Sequence, residues 1–404
     1  MGLKNSKLAL LRYKLKHVGL KNALRVAYLD AGDRLLMQLS QRFPNRRFSP
    51  RSIQIECTTR CNLKCTFCEI SYWTEKPDDL TFDNVQQMVA HLPHLKRIDL
   101  TGIGEALVNK QFFEIISFLK QRGIYITLND NFTLMTEKTA RRIVELGVDQ
   151  IFLSLDGATA ETYEAIRRGA KFENVIANVK RLVAIKREMG SALPEVKINT
   201  VVCNTNYHEL TALVELAHEI GVGMVQFVNI VTFDNTDSMS TVGLKAEVKQ
   251  AFEAAIARAD ELGVLVKVEL FDKLPVQQCD FPWTRNFVTY DGYVHPCCYT
   301  TQSGDRTAQN SRSLGNLAEQ NYGDLWQQED FVQFREKMAA GILPYQCRQC
   351  PKFAGRPDRD APDRAVSNNG ASDSHAVETA VSAPSAIARQ ETDQQETVRQ
   401  ETIA

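Results

Sequence analysis

No apolar run in this 404-residue chain reaches the ~18–20 residues that carry a helix across a bilayer. No basic-then-apolar segment at the start reads as a secretory signal. Forty-eight Lys and Arg nearly balance forty-nine Asp and Glu, so no overall field points to nucleic acid or membrane. The seven histidines are scattered and are expected to be structural or surface residues, including His295. These absences leave a globular, cytoplasmic protein of one large domain or two. A reducing cytosol also argues against a disulfide framework, yet the chain holds ten cysteines. In that compartment, clustered cysteines read as metal ligands or catalytic groups.

The stretch RCNLKCTFCEI, Arg60 to Ile70, crowds Cys61, Cys65 and Cys68 into a C-x3-C-x2-C spacing. Neighbours this close on one loop cannot all pair with one another. Three soft thiolates suit three irons of a [4Fe–4S] cube and leave the fourth iron open to a small molecule. Zinc is the competing reading, but it normally takes a fourth ligand at other spacings. Cys279, Cys297, Cys347 and Cys350 come from separated segments, the last two as a C-x2-C pair. They could close an auxiliary Fe–S cluster or a four-thiolate zinc site, with Cys298 as an alternative to Cys297. Cys57 and Cys203 fall in strand patterns and are expected in the core.

Between Ser52 and about Glu269, β-branched apolar runs alternate with amphipathic helical stretches. Strands are expected at 52–56, 97–102, 124–129, 150–156, 195–203 and 224–230. Helices between them include Asn109–Arg122, Glu137–Leu146, Phe172–Glu188 and Tyr207–Ile220. Six such units imply a parallel sheet with helical crossovers, either an open doubly wound sheet or a partial barrel. In both, ligands gather at the C-terminal strand ends, where Cys61–Cys68 falls. Residues 1–51 hold twelve Lys and Arg against two Asp, with apolar residues at helical spacing. They are expected to form a helical extension packed on the main domain, with a membrane-surface or partner helix as the alternative. After Gly355 there is no aromatic residue, and nine acids face five bases. Such a segment has too little apolar surface to order itself.

The motif CNLKCTFC after an initial strand resembles the signature of the radical S-adenosylmethionine (SAM) enzymes. The resemblance runs roughly from Ile53 to Pro351. It implies a partial (β/α)6 TIM-like barrel at 52–270, in the α/β class. In that family the open iron chelates SAM, and one electron from the cluster releases a 5′-deoxyadenosyl radical. The resemblance assigns Phe67, the aromatic residue before the last cysteine, to the adenine. Gly104 and Glu105 in TGIGEALVN match the strand end that binds the SAM amino group, with Ala106 where proline is usual. Asn131 in LNDNFTLMT matches a Thr-Asn-Gly turn, from which Asp130 and Phe132 depart. Phenylalanine does not share glycine's tolerance of φ > 0. In LSLDGATAETYEAIRRG, Ser154 is expected to contact ribose or carboxylate, with Asp156 as polar support. Arg167 is expected to pair with the SAM carboxylate.

The stretch DGYVHPCC, the LGNL at 314–317 and the terminal C-x2-C resemble the SPASM/Twitch extension of these enzymes, nearer its one-cluster form. This gives an auxiliary domain at 271–353, after the basic extension at 1–51 and the barrel, and before a disordered tail at 354–404. The implied cofactors are a SAM-binding [4Fe–4S] cluster, SAM and a second, auxiliary [4Fe–4S] cluster. Electrons would come from flavodoxin or ferredoxin. The expected activity is oxidation or epimerisation of a small metabolite such as a sugar or aminocyclitol. A maturase acting on a peptide or protein side chain is the second reading, and a non-catalytic Fe–S or zinc-binding interaction protein the third. No catalytic acid or base stands out.

Overall fold

The computed structural model describes residues 7–43, 46–231, 237–269, 275–301, 306–348, 350 and 353. The tail at 354–404 lies outside the described residues. Seven strands run in chain order across the sheet: β1 (Ser52–Ile55), β2 (Arg97–Asp99), β3 (Tyr125–Asp130), β4 (Gln150–Ser154), β5 (Glu195–Val202), β6 (Met224–Asn229) and β7 (Leu265–Glu269). All neighbours among them are parallel. A doubly wound sheet needs a point where the strand order reverses. This order never reverses, which is the winding of a barrel. The sheet does not close: β7 lies at one edge and β9 (Val294–His295) at the other.

Among the described residues the sheet has nine strands, three more than the six expected between Ser52 and Glu269. LVKVE forms β7, and β8 (Asn286–Val288), from the cysteine-rich region, pairs parallel with β1 in the register Ile53↔Asn286. Only β9 runs antiparallel, in a hairpin with β8.

Helices α3 (Phe82–Ala90), α4 (Phe112–Gln121), α5 (Glu137–Leu146), α6 (Ala160–Ile166), α7 (Phe172–Glu188), α8 (Leu210–Glu219) and α9 (Lys245–Leu262) provide the crossovers. Thr81, Thr136 and Thr159 cap α3, α5 and α6 through their side-chain oxygens, and left-handed glycines end α5 and α9. The strands alternate. Ile53, Ile55, Ile98, Ile126, Leu128 and Ile198 are fully buried in the main core with Ile115, Leu119, Val179 and Leu213 of the helices. The intervening Gln54, Asp99, Thr127, Asn129, Asn199 and Gln226 line the lumen. A period of two thus puts apolar side chains under the helices and these polar ones inward, where Phe152, Val201 and Val228 share the wall.

Two N-terminal helices, α1 (Lys7–His17) and α2 (Gly19–Arg42), pack at the N-terminal strand ends. Tyr13 buries against Met224 and Leu265. Arg25 pairs with Asp149 before β4 (2.6 Å) and donates to Gly123 O before β3 (2.7 Å). Arg97 donates to Asp30 (2.8 Å). The extension therefore packs on the barrel, and the C-terminal strand ends are left for chemistry.

Candidate active site

The cysteine loop leaves β1 and is pinned from across the barrel. Lys64 N donates to Arg168 O (3.0 Å) and Thr66 N to Ile166 O (2.9 Å). Leu63, buried against Gly169, anchors its base. Cys65 is buried, while Cys61 and Cys68 are half-buried, and Cys68 and Phe67 line the lumen. Burial pushes the Cys61 thiol up to about 11 and that of Cys68 up to about 12. Burial also raises Cys65, opposed by Arg167, whose Nη1 lies 3.9 Å from Cys65 Sγ. Such thiols ionise when a metal supplies the missing positive charge.

Beyond β2 the chain runs against this loop. A Cβ on Gly104 would lie 2.3 Å from Thr58 O and 2.5 Å from Arg60 O. That approach lets Glu105 N donate to Arg60 O (2.8 Å) and delivers Glu105 into the rim. Glu105 is buried; its Oε2 accepts from Asn131 N (3.0 Å), and Asp130 is its acidic neighbour. Burial, then the Asp130 carboxylate, pushes the Glu105 carboxyl well above its usual range, and burial pushes Asp130 up to about 6. Among the described residues, Glu105 Oε1 and Asp130 Oδ2 are buried with no donor from any other group, and the two side chains pair with each other. Such a pair can share a proton; beside a bound ammonium, both carboxylates can ionise.

After β3, Asn131 Nδ2 donates to Asn62 Oδ1 of the cysteine loop (3.0 Å). Phe132 keeps the left-handed conformation (φ +59°) despite replacing glycine. Asp130 Oδ1 accepts its N–H (2.6 Å), Asn178 Nδ2 donates to its carbonyl (2.7 Å), and its ring is fully buried. Strain of ~1–2 kcal/mol is outweighed by burial of a large ring.

Ser154 is half-buried at the end of β4, in register with Asn199. Asp156, fully buried, accepts from Arg167 Nε (2.6 Å) and Val201 N (2.7 Å). Arg167 is thus held in a buried pair, 6.0 Å from the Phe67 ring. The rim opens into a lumen of ≈ 1050 Å³.

The second cysteine group is assembled by the β8–β9 hairpin. Gly292 (φ +95°) makes the turn, where a Cβ would meet Asn316 Oδ1 at 2.4 Å. Residues 314–317 pair back onto it, Leu314 N to Val294 O (2.7 Å) and Leu317 N to Gly292 O (2.8 Å). Cys279, Cys297, Cys347 and Cys350 are all buried. Burial, then the neighbouring cysteines, raises the thiols of Cys297 and Cys347 well above their usual value. Cys298 lines the lumen instead.

The model of the radical SAM superfamily matches residues 55–228, and that of the SPASM iron–sulfur cluster-binding domain matches 279–351. The chain carries a radical SAM domain followed by a SPASM domain. Two relatives cover most of it. The tungsten-containing aldehyde ferredoxin oxidoreductase cofactor-modifying protein of Pyrococcus furiosus is 27% identical over 74% of this chain and 86% of its own length. The AdoMet-dependent heme synthase of Methanosarcina barkeri is 26% identical over 75% of this chain and 91% of its own. The crystal structure of Streptococcus suis SuiB bound to S-adenosylmethionine shares the fold, with a TM-score of 0.60 at 13% identity over 79% of each chain. SuiB bound to precursor peptide SuiA gives 0.57 at 14%, over 74% of this chain and 69% of that one.

A radical SAM enzyme with a SPASM domain uses a [4Fe–4S] cluster, SAM and auxiliary Fe–S clusters. The residues present fit these groups. A [4Fe–4S] cube takes one thiolate per iron, so its ligands surround a volume rather than a point. Among the described residues, no three His, Cys, Asp or Glu side chains converge on a single ion. The buried Glu105 carboxylate, with Asp130 beside it, suits an ammonium donor.

Sequence reading saw Asp130 only as a departure from the turn motif, and passed over Asn62 and the buried pair of Glu56 and Arg306 (Nη2 to Oε2, 2.6 Å). Arg306 lies beside the rings of Trp73 and Tyr290 and joins the rim of β1 to the cysteine-rich region. No local pattern links positions so far apart. The polar lumen did leave a signal, in the alternation of IQI, RID and ITLN.

Proposed function

We propose that this radical SAM enzyme abstracts hydrogen from a small polar metabolite held in the barrel lumen. In this reading Cys61, Cys65 and Cys68 hold the SAM-binding cluster, and Cys279, Cys297, Cys347 and Cys350 hold the auxiliary one. When bound, the cluster and SAM together supply a reductively generated 5′-deoxyadenosyl radical. Glu105, backed by Asp130 and Asn131, receives the SAM ammonium, and Gly104 provides the close backbone approach. Asp156 fixes Arg167, which places positive charge beside Cys65 and leaves its Nη atoms toward the rim. Phe67 offers an apolar face for the adenine, and Ser154 a hydroxyl at the end of β4. Buried Cys279, Cys297, Cys347 and Cys350 use all the nearby thiols but Cys298, so they suit a fully ligated centre that accepts an electron. The reading requires a one-electron donor such as flavodoxin or ferredoxin. The domain limits follow: an extension at 1–51, the barrel at 52–270, the auxiliary domain at 271–353 and the tail at 354–404.

The observation that carries this reading is the lumen. At ≈ 1050 Å³, with Gln54, Asp99, Asn129 and Asn199 in its wall, it suits a hydrogen-bonding small molecule. A maturase acting on a peptide or a protein side chain is the second reading, favoured by the peptide-bound SuiB fold. The test uses anaerobically reconstituted enzyme, SAM, dithionite and a deuterated cell extract split by size. Deuterium reaching 5′-deoxyadenosine from the small-molecule fraction supports the proposal. Transfer from the polypeptide fraction alone moves the assignment to a maturase, and transfer from neither defeats both.

A further inference from the structure

Helices α1 and α2 are apolar on two opposite faces. One face is covered: Tyr13, Ala23, Leu29 and Ser40 are buried, Tyr13 against Met224 and Leu265 of the barrel. The other is bare. Leu20, Leu24, Tyr28, Leu35, Leu39 and Phe43 are 39–63% exposed, with Leu11 and Leu15 continuing the pattern on α1. Spacings of four and seven place the α2 residues on one stripe along its ~36 Å length. Eight of the twelve large apolar side chains exposed among the described residues lie in this segment.

The charges around the stripe have one sign. Residues 1–51 hold twelve Lys and Arg and two Asp, while the rest of the chain holds thirty-six against forty-seven acids. Both acids are engaged by the barrel side, Asp30 with Arg97 (2.8 Å), and Asp33 with Arg51 (3.6 Å) and Arg97 (3.8 Å). Arg12, Lys16, Lys21, Arg34 and Arg42 are exposed. No helix among the described residues is long and apolar enough to cross a membrane.

We infer that this face lies on an anionic lipid bilayer, with the leucine stripe in the acyl boundary and the basic side chains among the headgroups. A long, narrow apolar stripe edged by Lys and Arg matches such a surface in depth and charge. Protein interfaces, by contrast, are depleted of lysine. The barrel holds the helices preformed, so binding need not pay for folding them.

Flotation of the full-length protein with phosphatidylglycerol–phosphatidylcholine vesicles, and with phosphatidylcholine alone, tests this. Binding is expected to the anionic vesicles and to weaken with salt. Leu24→Gln with Leu35→Gln should lower the partition coefficient about 100-fold, at about tenfold per leucine. Lys21→Gln with Arg34→Gln should lower it about 25-fold, at about fivefold per charge. Melting and iron content should be unchanged in both, since these side chains are exposed. Failure of the parent protein to float with anionic vesicles at low salt overturns the inference, as does undiminished binding by the leucine variant. A parent dimer that the leucine variant turns into a monomer would reassign the stripe to a second copy of the chain.

Discussion

Replacing Gly104 with Ala probes how the rim is built. The new Cβ would lie 2.3 Å from Thr58 O and 2.5 Å from Arg60 O, and both are backbone atoms that cannot rotate away. An ordinary carbon–oxygen contact is about 3.3 Å. A gap of about 1 Å must therefore open between the exit of β2 and the cysteine loop. The Glu105 N to Arg60 O bond, now 2.8 Å, crosses that gap and would stretch past hydrogen-bond length. Losing it costs ~1 kcal/mol and the overpacking ~1–3 kcal/mol, about 2–4 kcal/mol together. A domain stable by ~5–15 kcal/mol would still fold. Function should suffer more, because Glu105 is moved and a 1 Å misplacement can cost about 100-fold. The reconstituted variant should keep most of its iron and lose about 100-fold in 5′-deoxyadenosine formation, with weakened SAM binding by equilibrium dialysis. Parent-like cleavage and an unchanged Tm would refute the contact. Loss of iron in proportion to activity would mean that the contact serves the cysteine loop rather than Glu105.

Phe132 should give an ordered series in chemical denaturation. Phe132→Gly loses the buried ring but relieves the left-handed strain, and Phe132→Ala loses the ring and keeps the strain. Ala should therefore be the less stable by ~1 kcal/mol, and the reverse order would contradict the φ of +59°. Replacing Cys61, Cys65 and Cys68 by Ala should remove about half the iron and all SAM cleavage. Replacing Cys347 and Cys350 should remove the other half and spare cleavage; iron analysis and 5′-deoxyadenosine yield distinguish these outcomes. Burial lowers Lys186 to about 8, partly opposed by Glu195. An unfolded lysine holds its proton to about 10.4, so between about pH 8 and 10 the unfolded chain binds more protons and stability should rise with pH. Lys186→Met should flatten that rise in urea midpoints; an equal slope in both proteins would assign it elsewhere.

Much of the chemistry was legible in the chain itself, because it depends on short spacings. C-x3-C-x2-C places three thiols on one loop in any fold that makes the loop, and C-x2-C does the same for Cys347 and Cys350. The alternation of apolar runs and amphipathic helices fixed the α/β class, since each period reflects one geometry. Barrel winding was not decided there, because local patterns carry no strand order. The monotonic order of β1 to β7 and the docking of β8 on β1 emerge only when the sheet is assembled. The same holds for Asp130 against Glu105, Arg167 on Asp156 and Arg306 on Glu56. These are pairings of buried charge, and burial is a property of the packed molecule. The N-terminal helices show the division most clearly. Sequence reveals that they are basic and apolar, but apolar residues on two opposite faces blur a single amphipathic signal. Only the barrel, by covering one face, distinguishes the leucines of the core from those left exposed.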